Sequence, residues 1–563
     1  LKINAGHAIV AALRKEGVST VFGMPGGHVL PIYDGIYLTE GITSVLARHE
    51  HHAAAMAAGW AQLTGEPGVV LVTAGPGVTN TLTAVAEAFV GALPLVILGG
   101  RGATATALRG ASQEIPTDRI FAPVTKSALR VDRADLLMAA LRQAFATARG
   151  GRPGPVLLDL PRDILIQDID GDYRPAGPRQ RVAAESERVG RAVAALRSAR
   201  RPLIVAGGGA QASDASAPVT ALAEILRAPV LTSLSGRGVI ADDHPLAAGG
   251  LGAHSTSVSR QLLRQADVIL GLGFRFEEME TNWSVNAVPP QSATYIQVDI
   301  DPAEPGRSVP VTMAVVADIR AFTEQCLALL AGHRAASPPA TLTHDLVGLE
   351  ESIAAMASSA EVPLHPVRVI RAAREVFPRD TILGVDVGAL AQHIAGAFPY
   401  FPVFGPRSTI VPSSFYGMGF AAAAIPAARF VHPERHALCF VGDGSFQMVM
   451  NVLPMAAQYR LGVTWCVLND QALGSIWDQQ HLVYGDRILD TAFSYQPDLA
   501  GVATASGCHA AVVEKPDGIL PALAAARVAN ERGVPAVLDF RVARVRLTGT
   551  QEHAAGTYVQ HDS

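Results

Sequence analysis

Val441-Gly442-Asp443-Gly444-Ser445-Phe446 and, further on, Leu468-Asn469-Asp470 decide how this chain is read. Residues His436 to Val441 form a short apolar run of the kind that makes a buried parallel strand, and Thr464-Trp465-Cys466-Val467-Leu468 forms another. The glycines break the first run and set a carboxylate beside bare backbone N–H groups at the strand's C-terminal end. That combination suits a divalent cation bridging a diphosphate. The two acids are 27 positions apart, about the length of a strand, a helix and a return strand, so both loops are expected side by side at one sheet edge. Gly-Asp-Gly alone reads as a turn; the spacing and the flanking strands argue for a ligand site.

A chain of 563 residues is too long for one core, and a prior of roughly 100 to 200 residues per domain suggests about three. Charged residues are 17% and hydrophobic ones 49%, which suits a large core and subunit interfaces, so an oligomer is expected. The net charge of −5 and the absence of a Lys/Arg-rich run argue against nucleic-acid binding. No apolar stretch reaches the roughly 18 to 20 residues of a membrane span. The first residues show no signal peptide, and Leu1 hints that the complete gene product is longer. Cys326, Cys439, Cys466 and Cys508 lack zinc spacing and read as inert thiols of a reduced, cytoplasmic protein.

Taken in order, the chain opens with a helical pattern at Ala8 to Leu13, a strand at Thr20-Val21-Phe22, and Gly23-Met24-Pro25-Gly26-Gly27-His28. Gly26 and Gly27 let backbone approach a ligand closely. A strand at Ser44 to Ala47 delivers Arg48-His49-Glu50, a small-residue helix follows, and the strand at Val69 to Val72 leads to the turn Gly75-Pro76-Gly77 with Asn80. Strands alternating with helices predict an α/β fold of parallel, doubly wound sheets. Residues 163 to 190 and 332 to 343 are rich in turn formers and read as linkers. Between them lie strands at Pro202 to Ala206, Pro229 to Thr232, Asp267 to Gly271 and Ile296 to Asp301, with a weak dinucleotide-like loop at Gly207 to Ala210.

Gly-Asp-Gly followed at this distance by Asn-Asp resembles the metal and diphosphate signature of thiamine diphosphate enzymes. Phe22 to Tyr33, Arg48-His49-Glu50, Gly75-Pro76-Gly77 with Asn80, and Gly151-Arg152-Pro153-Gly154-Pro155-Val156 resemble the pyrimidine-binding domain of their acetolactate synthase branch. The chain is also similar to 2-hydroxyacyl-CoA lyases and benzaldehyde lyase. The resemblance implies three doubly wound parallel-sheet domains: pyrimidine-binding at 1–170, middle at 188–333, and diphosphate-binding at 345–546. A tail at 547–563 is either frayed or, as in acyl-CoA members, a lid. The middle domain of relatives holds FAD, or an adenine nucleotide of CoA or ADP, or nothing, and all three stay open.

By the same resemblance Glu50 is the glutamate that bonds N1′ of the aminopyrimidine and so helps the 4′-amino group take the proton from C2. His28, at a pocket-histidine position of benzaldehyde lyase, and Gln113, at a pocket glutamine of acetolactate synthases, are the other catalytic candidates; for His28 a solvent-facing place at a helix start is the alternative. His51 and His52 read as packing or interface residues. Asp443, Asp470 and the carbonyl of Ala472 are the implied Mg²⁺ ligands. Asp470 stands where Asn is commoner and adds a negative charge. The cofactor would be held by Pro25, Gly26, Gly27, Pro76, Asn80, Gly388, Ala389, Leu390, Gly417, Met418, Gly442, Gly444, Ser445, Leu473, Gly474, Ser475 and Ile476, with Met418 as the apolar wedge that bends it.

The chain also departs from the pattern. Ala389 and Leu390 replace Gln and His, leaving only backbone for the diphosphate there. The tryptophan typical of acetolactate synthases would fall at Gln479, and neither Ile476 nor Gln479 is the Glu of pyruvate decarboxylases or lyases. A site poor in carboxylates beyond Glu50 disfavours simple decarboxylation and favours carbonyl-to-carbonyl transfer. The expectation is a thiamine diphosphate- and Mg²⁺-dependent enzyme that makes or breaks a C–C bond next to a carbonyl. Acetolactate synthase-like carboligation comes first, lysis of 2-hydroxyacyl-CoA or benzoin-type hydroxyketones second. A non-catalytic binding relative is the rival that Glu50 and Asp443 argue against. Its partners would be a small molecule (2-ketoacid, 2-hydroxyketone or acyl-CoA) and its own copies, as a homodimer at minimum and a homotetramer in the fuller expectation.

Overall fold

The computed structural model describes residues 2–281, 287–333 and 341–545. The tail at 547–563 lies outside the described residues, as does 334–340 of the second linker. Three sheets of six parallel strands carry the fold. In spatial order the first runs Thr43–Leu46, Thr20–Met24, Gly68–Val72, Leu95–Arg101, Pro155–Pro161, Ser127–Arg130. The middle one runs Ala247–Gly250, Val230–Thr232, Pro202–Ala206, Val268–Leu272, Thr294–Asp299, Met313–Val316. The third runs Thr409–Ile410, Ile382–Val385, Ala437–Gly442, Val463–Asn469, Ala536–Arg541, His509–Val513. The central strands are buried along all or nearly all of their length, as parallel sheets covered on both faces require.

Counted in chain order within each sheet, the first and third share the arrangement 2-1-3-4-6-5, while the middle sheet is 3-2-1-4-5-6. In an open sheet of this kind a crevice forms where strand addition changes direction, beyond the carboxyl ends of the strands. In the first sheet that point lies between the loops after Met24 and Val72; in the third it lies between those after Val385 and Gly442. In the middle sheet the equivalent loops close on each other. A Cβ on Gly207 would stand 2.1 Å from the Gly273 carbonyl oxygen, and one on Gly209 2.7 Å from Gly273 Cα. The missing side chains there serve loop-to-loop contact.

The stretch from 163 to 190 is more regular than a linker. Arg162–Leu165 is helical, Asp168–Asp170 pairs antiparallel with Lys2–Asn4, and Ser186–Ser198 is a helix. The alternation Asp168-Ile169-Asp170 explains the strand, because it buries Ile169 in the first core while both acids face outward.

Contacts divide the chain into two compact units. One comprises residues 1–180, 415–434 and 449–461; the other comprises 181–414, 435–448 and 462–563. In the first unit, the helix Glu50–Thr64 is built largely of alanines, and Ala53, Ala54, Ala55, Ala57 and Ala58 are fully buried. Phe430 meets Phe22 edge to face at 5.9 Å, and the Leu46 amide donates to the Tyr459 hydroxyl at 2.7 Å, which fastens the two later segments. In the second unit the buried Arg237 pairs with Asp242 and donates to the carbonyls of Gly396 at 3.0 Å and Phe401 at 2.9 Å. All four cysteines are free and buried. No helix among the described residues is long and apolar enough to cross a membrane.

The close seat of the Glu50 helix makes a prediction. A Cβ on Gly68 would stand 2.1 Å from the Ala57 carbonyl oxygen, so Gly68→Ala must push this helix off its sheet. A loss of about 1–3 kcal/mol is expected for such overpacking, visible as a lower midpoint of thermal unfolding.

Candidate active site

The third sheet aligns Gly442 with Leu468 on neighbouring strands, so Asp443 and Asp470 leave the sheet at the same edge. Asp443 begins the helix Asp443–Val449 and is 1% exposed. Its Oδ2 accepts a hydrogen bond from Gln496 Nε2 at 2.5 Å, while its Oδ1 is buried and without a hydrogen-bond partner among the described residues. Burial, then the negative charge of Asp470, pushes the Asp443 carboxyl up to about 7. Burial raises Asp470 as well, opposed by Arg544, whose Nε donates to Asp470 Oδ2 at 2.8 Å.

The neighbouring loops are held in close register with these acids. Leu473 N donates to Thr491 O at 2.8 Å and Phe493 N to Gln471 O at 2.9 Å, with the buried Ala472 between them opposite Ala492. A side chain on Gly444 would meet Leu473 Cδ2 at 2.8 Å, and one on Gly474 would meet Asp470 Oδ2 at 3.0 Å. Ser475 and Ile476 follow in the first turn of the helix Gly474–Val483, Ile476 exposed. Ser445 Oγ donates to Val387 O at 3.4 Å, tying the Gly-Asp-Gly turn to the loop across the crevice. In that loop Gly388 has φ +130°, and the Ala389 and Leu390 side chains are buried, so backbone is what this stretch can offer a ligand.

In the first unit, Glu50 opens its helix after the cap residue His49, whose side chain accepts from the His51 amide. Glu50 is 8% exposed, and its Oε2 accepts from Asn80 Nδ2 at 2.9 Å. Gly75 takes φ +58° and starts the short helix Pro76–Thr79; a Cβ there would stand 2.8 Å from the Gln113 carbonyl oxygen. Gln113 is exposed with φ +63°. Pro25 and Gly27 are exposed, and Gly26 lies where a Cβ would meet Thr73 at 2.5 Å. The half-buried His28 brings Nδ1 to 3.3 Å from Thr73 Oγ1. Burial, then the charge of Arg162, lowers its pKa, so the ring is neutral at pH 7. His28 is thus neither fully solvent-facing nor core.

The rings of His49, His51 and His52 cluster with centroids 5.8 to 6.5 Å apart. Burial first, then neighbouring histidines, pushes His51 down to about 4 and His52 to about 3, which keeps both uncharged. Met418 is half-buried in a turn with Tyr416 at φ +56° and Gly419 at φ +82°. The Gly417 amide in that turn donates to Glu87 Oε2 at 3.0 Å.

With the geometry in place, three family profiles account for most of the chain. Residues 3–120 match the thiamine pyrophosphate enzyme N-terminal TPP binding domain, 189–326 its central domain, and 386–540 its C-terminal TPP binding domain. The chain belongs to the thiamine pyrophosphate enzyme family. Among its relatives it is similar to a probable acetolactate synthase large subunit of Methanocaldococcus jannaschii, 32% identical over 96% of this chain and 92% of that one. It is 34% identical to the acetolactate synthase isozyme 3 large subunit of Escherichia coli, over 90% and 89% of the two chains. To the acetolactate synthase large subunit of Corynebacterium glutamicum it is 33% identical over 96% and 87%.

For a thiamine pyrophosphate enzyme, the edge at Asp443 has the right donors for a hard divalent cation and a diphosphate. Two carboxylates face one edge and one of their oxygens is unsatisfied. Among the described residues no group of three or more His, Cys, Asp or Glu side chains gathers for a metal, so a cation held by these two acids would draw its further oxygen ligands from backbone and from the diphosphate. Three residues here escaped sequence reasoning. Gln496 and Arg544 reach the acids from segments without a motif, and Glu87 sits mid-helix in Leu82–Val90.

A raised folded-state pKa means that the stability contributed by a neutral Asp443 is present below about pH 4 and lost as pH rises through about 7. In the ligand-free chain Asp443→Asn should therefore leave stability near pH 4 unchanged and raise it progressively toward pH 8, by on the order of a few kcal/mol. Thermal melts at the two pH values measure this.

Proposed function

We propose that this thiamine diphosphate-dependent enzyme is an Mg²⁺-requiring carboligase that joins a fragment of a 2-ketoacid to a second carbonyl compound. The observation that carries the reading is the Asp443 carboxylate, buried with one oxygen unsatisfied beside Asp470. Asp443, Asp470 and the carbonyl of Ala472 would hold the metal. Gly442, Gly444, Ser445 and the segment Leu473-Gly474-Ser475-Ile476 would hold the diphosphate, with backbone at Gly388, Ala389 and Leu390. Gly417 and Met418, together with Pro25, Gly26, Gly27 and Pro76, would surround the rings.

When bound, thiamine diphosphate supplies a carbon nucleophile that can take up the negative charge left when a bond next to a carbonyl breaks. Glu50 would exchange a proton with the cofactor's ring nitrogen, and Asn80, by donating to Oε2, keeps that carboxylate aimed. A neutral His28 can take or give a proton at a substrate oxygen, and Gln113 is its proposed companion. The similarity to acetolactate synthase large subunits supports carboligation. The absence of an acid at positions 476 and 479, which are Ile476 and Gln479, supports transfer over protonation. A working site would combine the Glu50 half of one copy with the Asp443 half of another, making a homodimer the minimum and a homotetramer the fuller assembly. The words "large subunit" in the relatives' names further suggest a smaller partner chain.

Two measurements test the reading. Incubated with pyruvate, the enzyme should release CO₂ together with a product carrying a new C–C bond; acetaldehyde as sole product would refute carboligation. Glu50→Gln should retain cofactor binding and lose at least about 100-fold in turnover, within the range for loss of a proton-transfer group. Asn80→Ala should lose about tenfold, as expected for one hydrogen bond to a charged group.

A further inference from the structure

The second acid of the anchor is not alone. Arg544 Nε donates to Asp470 Oδ2 at 2.8 Å, and Arg544 Nη2 donates to the main-chain carbonyl of the same residue at 3.0 Å. The guanidinium also lies over the Trp477 ring, 4.1 Å from its centroid, on the helix that follows the loop. One planar fork therefore grips the loop by side chain and backbone, and its face is pinned by an aromatic ring. The Asp470 side chain is only 5% exposed and that of Arg544 23%, so solvent screens this pair less than it would a surface ion pair. A charged Asp443 beside a charged Asp470 would confront an arriving diphosphate with two negative charges. Arg544 cancels one of them while occupying a single oxygen, Oδ2, and so leaves Oδ1 for a cation.

We propose that Arg544 is a positioning and charge-balancing residue of the diphosphate anchor: it fixes the Asp470–Ala472 loop and offsets the charge of Asp470, so that a metal–diphosphate pair meets one net negative charge rather than two. This rests on the reading of Asp443 and Asp470 as that anchor. It explains how an acid is accommodated at 470, where the resemblance leads one to expect an amide.

Binding of thiamine diphosphate to the full chain at saturating Mg²⁺, measured by titration calorimetry in the absence of substrate, tests it without recourse to activity. Arg544→Gln should weaken binding by about tenfold, the scale of a lost charge-assisted contact, and more at low ionic strength than at high. Arg544→Lys, which keeps the charge and loses the fork, should recover part of the loss. In an Asp470→Asn background there is no charge to offset, and Arg544→Gln should then cost less than about threefold, a residue of the lost carbonyl contact. Equal losses in both backgrounds would make Arg544 a merely structural residue and overturn the inference, as would unchanged binding in Arg544→Gln. Failure of the unaltered chain to bind thiamine diphosphate at all would overturn the reading of the anchor and this inference with it, a result separable from the other two.

Discussion

A buried carboxyl oxygen without a hydrogen-bond partner is among the costlier groups a fold can keep, and among the described residues Asp443 Oδ1 is one. Much of the second unit's local structure can be understood from that residue outward. The parallel strands deliver it and Asp470 to one edge, a glutamine holds its other oxygen, and glycines let the flanking turns come within contact distance. The buried acids repel each other, and the surroundings answer with an arginine on one and an amide on the other instead of neutralising both. Of the two acids only Asp470 is offset by a cation, Arg544.

The first sheet solves a different problem with the same strand order. There the crevice is lined by small residues and a neutral histidine, and the acid, Glu50, is satisfied by Asn80. The contrast is chemical: one edge gathers two acids, one of them with an unsatisfied oxygen, while the other holds a single carboxylate fixed by an amide. Burial also keeps His51 and His52 uncharged next to Glu50, so that no imidazolium competes with a ligand for that carboxylate.

Much of this was legible in the sequence because it is local. Gly-Asp-Gly at the end of an apolar run, Arg48-His49-Glu50 after another, and the alternation of strands with helices all depend on neighbours within a few positions. What could not be read depends on tertiary register. Gln496 reaches Asp443 because the chain returns past the Asp470–Ala472 loop at Ala492, and Arg544 reaches Asp470 from beyond the last strand; neither position has a local pattern to flag it. Likewise, residues 415–434 and 449–461 group with the first unit through Phe430 and Tyr459, a partition no linear reading of linkers reveals. The segment at 168–170 misled in the opposite sense, since its acids look like linker while Ile169 alone anchors a strand.

Between Leu473 and Thr491 the chain leaves the Asp470–Ala472 loop, makes the helix Gly474–Val483, and comes back. The two ends of that excursion are joined by backbone bonds, and Gln480 staples the helix to Leu489 and Thr491. An excursion closed at its base in this way is a module. Its outward residues, among them Leu482, Tyr484 and Leu489, can drift without the disturbance reaching Asp443. A chain organised so can diversify at its periphery while its pair of buried acids stays fixed, which is the condition under which one cofactor scaffold gives rise to many catalysts.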